Sequence, residues 1–169
     1  MSSRLLFALA ALSTLIPAAA RASAPARCYT SELAFALGPA QGAAGSIAQT
    51  VHLRNVSTRK CTLQGYPGLQ MLNASGQPIT TRVHRGASVT VSARPLVLIT
   101  LAPGRQASFD IGYADATGYG NERCPASARV EITPPNDYRP LTVKWSLQPY
   151  GGSIPHLECG LINVSPVYG

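Results

Sequence analysis

Acid is scarce in this sequence. Seven Asp and Glu stand against fourteen Lys and Arg among 169 residues, which leaves few carboxylate pairs for two-acid hydrolysis. Histidine is rarer still: His52, His84 and His156 are the only three, and none shares close ligand spacing with another. Zinc sites draw on such close pairs because one turn or hairpin must deliver two ligands together, so neither a metal nor another cofactor is expected. No G-x-S-x-G elbow exists to expose a nucleophile, and the chain reads as a non-enzyme. Aromatic residues are not interleaved with the basic ones, and nucleic acid is not an expected partner. Beyond the N-terminus no apolar run approaches the roughly 20 residues of a membrane-spanning helix. Helical periodicity is nearly absent.

What is present begins with an export signal. Arg4 supplies a positive start, Leu5 to Ile16 an apolar stretch broken by Pro17, and Ala18-Ala19-Ala20 and Ala20-Arg21-Ala22 offer small residues for cleavage. Residues 1–22 are therefore expected to be removed, leaving 23–169 as a single secreted domain at the cell envelope or outside the cell. Loss of Arg4 and Arg21 lowers the net charge from +7 to about +5. Arginine outnumbers lysine 12 to 2, a bias that fits high-GC coding as well as it fits selection for guanidinium chemistry. In an oxidising compartment Cys28, Cys61, Cys124 and Cys159 read as two structural disulfides and not as ligands or nucleophiles.

Short alternating apolar runs fill the mature region, bounded by Gly, Pro, Asn and Ser. Leu33, Phe35 and Leu37 form one, and Ile47, Val51 and Leu53 share a face of the next. Leu69–Leu72, Ile79–Val83 and Val89–Val91 follow. Leu96–Leu101 is continuous, as suits a strand buried on both faces. Phe109 to Tyr113, Val130 to Ile132, Leu141 to Leu147 and Leu161 to Val167 complete the set, with Trp145 expected between sheets. Turn chemistry at 73–76, 103–104, 134–137 and 151–152 separates them. The expectation is an all-β fold, an immunoglobulin-like antiparallel β-sandwich of seven to nine strands, with a closed barrel as competitor. An antiparallel hairpin of 28–37 with 47–56 would bring Cys28 beside Cys61 and leave Cys124 for Cys159. Four cysteines allow three connectivities, and this pairing is the preferred one.

Several strings carry a family resemblance: Cys28-Tyr29-Thr30-Ser31-Glu32-Leu33, Leu53-Arg54-Asn55-Val56-Ser57, Cys61-Thr62-Leu63-Gln64-Gly65-Tyr66-Pro67-Gly68 and Leu101-Ala102-Pro103-Gly104. On these the chain resembles a family of single-domain secreted proteins of high-GC bacteria, known as a domain of unknown function. The resemblance implies export, two cystines and a sandwich; it brings no catalytic residue.

Two kinds of residue could face a partner. Basic side chains gather at Arg54, Arg59 and Lys60, and again at Arg82, His84, Arg85 and Arg94, where an anionic polymer could bind. Tyr119 lies between Gly118 and Gly120, and flanking glycines are expected to leave its ring uncovered. The expected function is a monomeric, non-enzymatic binding or interaction module for a protein or anionic envelope polymer. A small secreted hydrolase, or an enzyme inhibitor, is the alternative.

Overall fold

A computed structural model describes residues 26–43, 45–114, 127–144 and 160–169. The described chain is all-β, apart from one 3-10 turn at Thr30–Glu32. Its ten strands are β1 (Leu33–Ala43), β2 (Ser46–Asn55), β3 (Cys61–Leu63), β4 (Gly68–Leu72), β5 (Arg82–Arg85), β6 (Ile99–Leu101), β7 (Gln106–Ala114), β8 (Arg129–Thr133), β9 (Leu141–Lys144) and β10 (Leu161–Val164). They form a five-stranded sheet ordered β1-β2-β7-β10-β5, a three-stranded sheet β4-β8-β9 and a two-stranded sheet β3-β6.

The long strands arise where period-two alternation is long. β2 alternates without a break from Ile47 to Asn55, burying every second residue. β7 likewise buries Ala107, Phe109, Ile111 and Tyr113. Alternate residues of a strand share a face, and these inward rows meet Leu63 and Leu101 of the small sheet and Leu69, Met71, Val130 and Ile132 of the three-stranded one in a single apolar cluster. Tyr113 is fully covered there, as a core residue.

The expected first hairpin is present. Leu33 pairs with Asn55 and Ala43 with Ser46, with a bulge between Leu37 and Ala40 where Gly38-Pro39 interrupts the pleat. Cys28 is bonded to Cys61. The residues ahead of β1 run beside β3, with Cys28 N–H donating to the Thr62 carbonyl and Thr62 N–H to that of Ala26. That pairing, more than the hairpin end itself, brings the two sulfurs together. Cys124 and Cys159 lie outside the described residues, as do residues 1–22, Tyr119 and Trp145.

Four expectations change. Ten strands among the described residues exceed the seven to nine expected, and β3, three residues long, is too short to show a pattern. Not every pair is antiparallel: β5 runs parallel to β10. Leu96–Leu101 is not a doubly buried strand, since only Ile99–Leu101 pairs, and Leu96, Val97 and Leu98 are exposed. Finally, Val89–Val91 forms no strand. Ser88 closes a turn there, its hydroxyl accepting from the N–H groups of Thr90 and Val91, which leaves Val89 out in solvent and Val91 buried.

The turns follow their residue chemistry. In Ala102-Pro103-Gly104-Arg105 the Arg105 N–H returns to the Ala102 carbonyl and Gly104 takes a φ of 76°. Proline supplies the first bend there and glycine the positive φ.

Candidate binding surface

The five-stranded sheet has an outer face away from the apolar cluster. Along it lie the residues that alternate with the buried rows: Ala48, Thr50 and His52 of β2, and Ser108, Asp110 and Gly112 of β7, paired as 48 with 112, 50 with 110 and 52 with 108. The segment from Gly86 to Leu98 crosses this face. It starts at the end of β5, where Gly86 N–H donates to the Val164 carbonyl. It then presses Thr90 and Val91 onto Gly112, where a β-carbon would meet Thr90 Oγ1 at 1.9 Å and Val91 Cγ2 at 3.0 Å. Glycine is required at 112 because side chains of the crossing segment approach that closely.

Asp110 anchors the same segment. Its Oδ2 accepts from Arg94 Nε at 3.1 Å and Nη2 at 3.0 Å. Its Oδ1 accepts from the Thr50 hydroxyl at 2.9 Å and the Tyr168 hydroxyl at 2.7 Å. The Arg94 guanidinium also lies over the Tyr168 ring, 3.5 Å from its centroid. Burial, and then the bond to Asp110, hold the Tyr168 phenol above its ordinary pKa. Two shallow clefts flank the arrangement. One of about 460 Å³ involves Gln41, Ser46, Val89 and Thr90; the other, of about 180 Å³, involves Pro39, Thr50, Ser92 and Asp110.

The sequence-derived candidates separate on this frame. Arg82, His84 and Arg85 all lie on β5, the terminal strand of the sheet, and all three are exposed. Register places Arg82 beside Leu161 and His84 beside Asn163, whereas Val83 between them packs against the core. Arg94 does not join them as an open cation, because its charge is spent on Asp110. Nor do Arg54, Arg59 and Lys60 form one basic patch. Arg59 is engaged by Glu32 and Arg54 Nε donates to the Gly104 carbonyl at 3.3 Å. Burial pushes the Glu32 carboxyl up, but bonds from Arg59 and the Tyr29 N–H overcome this and bring it below the usual range.

One pair escaped sequence reasoning. His52 Nδ1 lies 3.0 Å from the Ser108 hydroxyl and 2.9 Å from Gln106 Nε2. A serine and an imidazole in contact could exchange a proton, but the carboxylate two residues on, Asp110, is occupied by Arg94, Thr50 and Tyr168. Neither Ser108 nor His52 lines the two clefts. Register explains why sequence spacing could not find the pair: the residues are 56 apart and opposed across β2 and β7. Among the described residues, no three His, Cys, Asp or Glu side chains gather to hold a metal, and no helix is long and apolar enough to cross a membrane.

No curated protein and no solved structure matches the chain. A family model does match, over residues 28–168. Its span opens on Cys28 of the observed cystine and closes on Tyr168, whose hydroxyl binds Asp110. The chain belongs to DUF4232, a domain of unknown function.

Proposed function

We propose that this is an exported, monomeric, non-enzymatic binding module that engages an anionic partner, a protein or an envelope polymer, along β5. The observation that carries the reading is that Arg82, His84 and Arg85 stand exposed on a terminal strand with no ion pair among the described residues. The cations of Arg59 and Arg94, by contrast, are each matched to a carboxylate. Unmatched charge on a sheet edge attracts an oppositely charged polymer, and the attraction weakens with salt. A strand edge also offers main-chain groups to an incoming extended peptide.

The scaffold in this proposal is an immunoglobulin-like sandwich. Support comes from the inward rows of the five-stranded and three-stranded sheets, which enter one apolar cluster. Export is supported by the signal-like N-terminus and by the buried Cys28–Cys61 bridge, a bond that persists in oxidising compartments. The second bridge in this reading joins Cys124 to Cys159.

Retention of the mature protein on anionic liposomes or a polyanion resin, titrated with salt, tests the proposal. The expected result is retention at low ionic strength that falls steeply as salt rises, and a clear loss for the Arg82→Ser/Arg85→Ser variant. Absence of retention at low ionic strength, or equal retention of the variant, overturns it.

A further inference from the structure

A second site lies far from β5 in the strand order, between the residues leading into β1 and the loop joining β8 to β9. Arg27, Tyr29, Ser31, Asp137, Tyr138 and Arg139 line a cleft of about 400 Å³, a size that suits a small ligand. Its walls are tied together. The Thr30 N–H donates to Asp137 Oδ2 at 2.8 Å, and the Thr30 hydroxyl reaches the same oxygen at 3.0 Å as well as the Arg139 carbonyl. Arg27 Nη1 donates to the Asn136 carbonyl. Asn136 takes a φ of 63°, and the Asp137 N–H closes a turn onto the Pro134 carbonyl. The rim is thus shaped before any ligand arrives, which lowers the ordering cost of binding.

The charges around this cleft do not cancel. Its acid, Asp137, is consumed internally: Oδ2 serves Thr30, and Oδ1 accepts from the Tyr138 N–H at 2.8 Å. Arg139 is engaged through its main chain alone, and its guanidinium makes no hydrogen bond or ion pair among the described residues. Arg27 uses one N–H on Asn136 and lies over the Tyr29 ring, 5.0 Å from the centroid, with its other donors open to a ligand. Tyr138 is 89% exposed, a bare ring standing on a fixed loop. Two guanidinium groups beside an uncovered aromatic platform suit one ligand chemistry in particular. A planar fork matches a carboxylate bidentately, while a tyrosine ring offers a flat apolar face with a polar tip.

We propose that this cleft binds an acidic sugar, a pyranose carrying a carboxylate, with the ring on Tyr138 and the carboxylate on Arg139 and Arg27. The site does not depend on the β5 reading, and different substitutions disable each. Calorimetric titration of the mature protein with tri-galacturonate tests it, with maltotriose and inorganic phosphate as controls. The uronate is expected to bind and the neutral trisaccharide not to bind. Tyr138→Ala and Arg139→Ala should each weaken binding by about tenfold, the scale of one stacking or charge-assisted contact. Both side chains are exposed, so both variants should keep the wild-type melting temperature. Arg82→Ser/Arg85→Ser should bind the uronate unchanged. No binding of the uronate, equal binding of maltotriose, phosphate binding as tightly as the uronate, or indifference to both cleft substitutions would each overturn the proposal.

Discussion

Asp137 shows how one carboxylate can shape a site without facing its ligand. Burial alone would push its carboxyl up, but N–H groups of Thr30, Tyr138 and Arg139 and the Thr30 hydroxyl favour the anion and hold it below the usual range. A group whose folded pKa is depressed adds stability above its unfolded pKa and loses it as pH falls through the folded value. Thermal melts from neutral pH down past the ordinary carboxylate pKa of about 4 should therefore show falling stability in the wild type. Asp137→Asn should be less stable at neutral pH and less sensitive to acid, with Glu32 supplying the remaining sensitivity. An identical pH profile for Asp137→Asn and the wild type would contradict this account. Asp110 has the same inward character: it joins Arg94, Thr50 and Tyr168, drawn from positions up to 118 residues apart in the chain. No local pattern announces such a meeting, so Arg94 reads from sequence as a free cation. Tyr29 and Tyr138 are equally remote, and only the folded chain puts them on one cleft.

At the scale of elements, length decides what sequence reveals. β1, β2 and β7 run for nine to eleven residues, enough for alternation to mark both strand and inward face, so the first hairpin is legible. β3 is not, because three residues fit a strand or a loop alike, and β5 and β6 are legible only in part, sharing two and three residues with the apolar runs expected there. The apolar Leu96–Leu98 stretch misleads for a related reason: hydrophobicity without periodicity does not distinguish a buried strand from an exposed ribbon. The parallel pairing of β5 with β10 carries no turn signature either, since it joins segments separated by most of the second half of the chain. The crossing segment adds a contact that can be tested directly. In Gly112→Ala the new methyl would strike Thr90, whose Oγ1 and Cβ fall 1.9 and 2.7 Å from it. The expected cost in urea unfolding is about 1–3 kcal/mol, the range for overpacking. Thr90→Gly in the same chain removes both clashing atoms and should recover part of the loss. A Gly112→Ala variant as stable as the wild type would show that the segment does not press on β7.

For the molecule as a whole, the apolar cluster and the Cys28–Cys61 bridge share the task of stability. The bridge spans 33 residues and encloses β1 and β2. Closing a loop of that length restricts the unfolded chain by about 3–4 kcal/mol. For a domain of this size, Cys28→Ser/Cys61→Ser should lower the melting temperature by roughly 10 °C. A fall of the same size on adding reductant to the wild type would assign the effect to this bridge. A larger fall would point to a second one, and an unchanged melting temperature in the variant would show the bridge to be dispensable.

The placement of β10 bears on timing. It lies between β7 and β5, so β5 is joined to the main sheet by residues 161–164, about 75 residues further along the chain. A polypeptide delivered N-terminus first can form the β1–β2 hairpin and dock β7 early, but among the described residues β5 has no sheet neighbour until residues 161–164 emerge. Under the export proposed above, the strand bearing Arg82, His84 and Arg85 would join the sheet only once residues 161–164 have been delivered. The basic edge would then be withheld until β10 arrives to hold it.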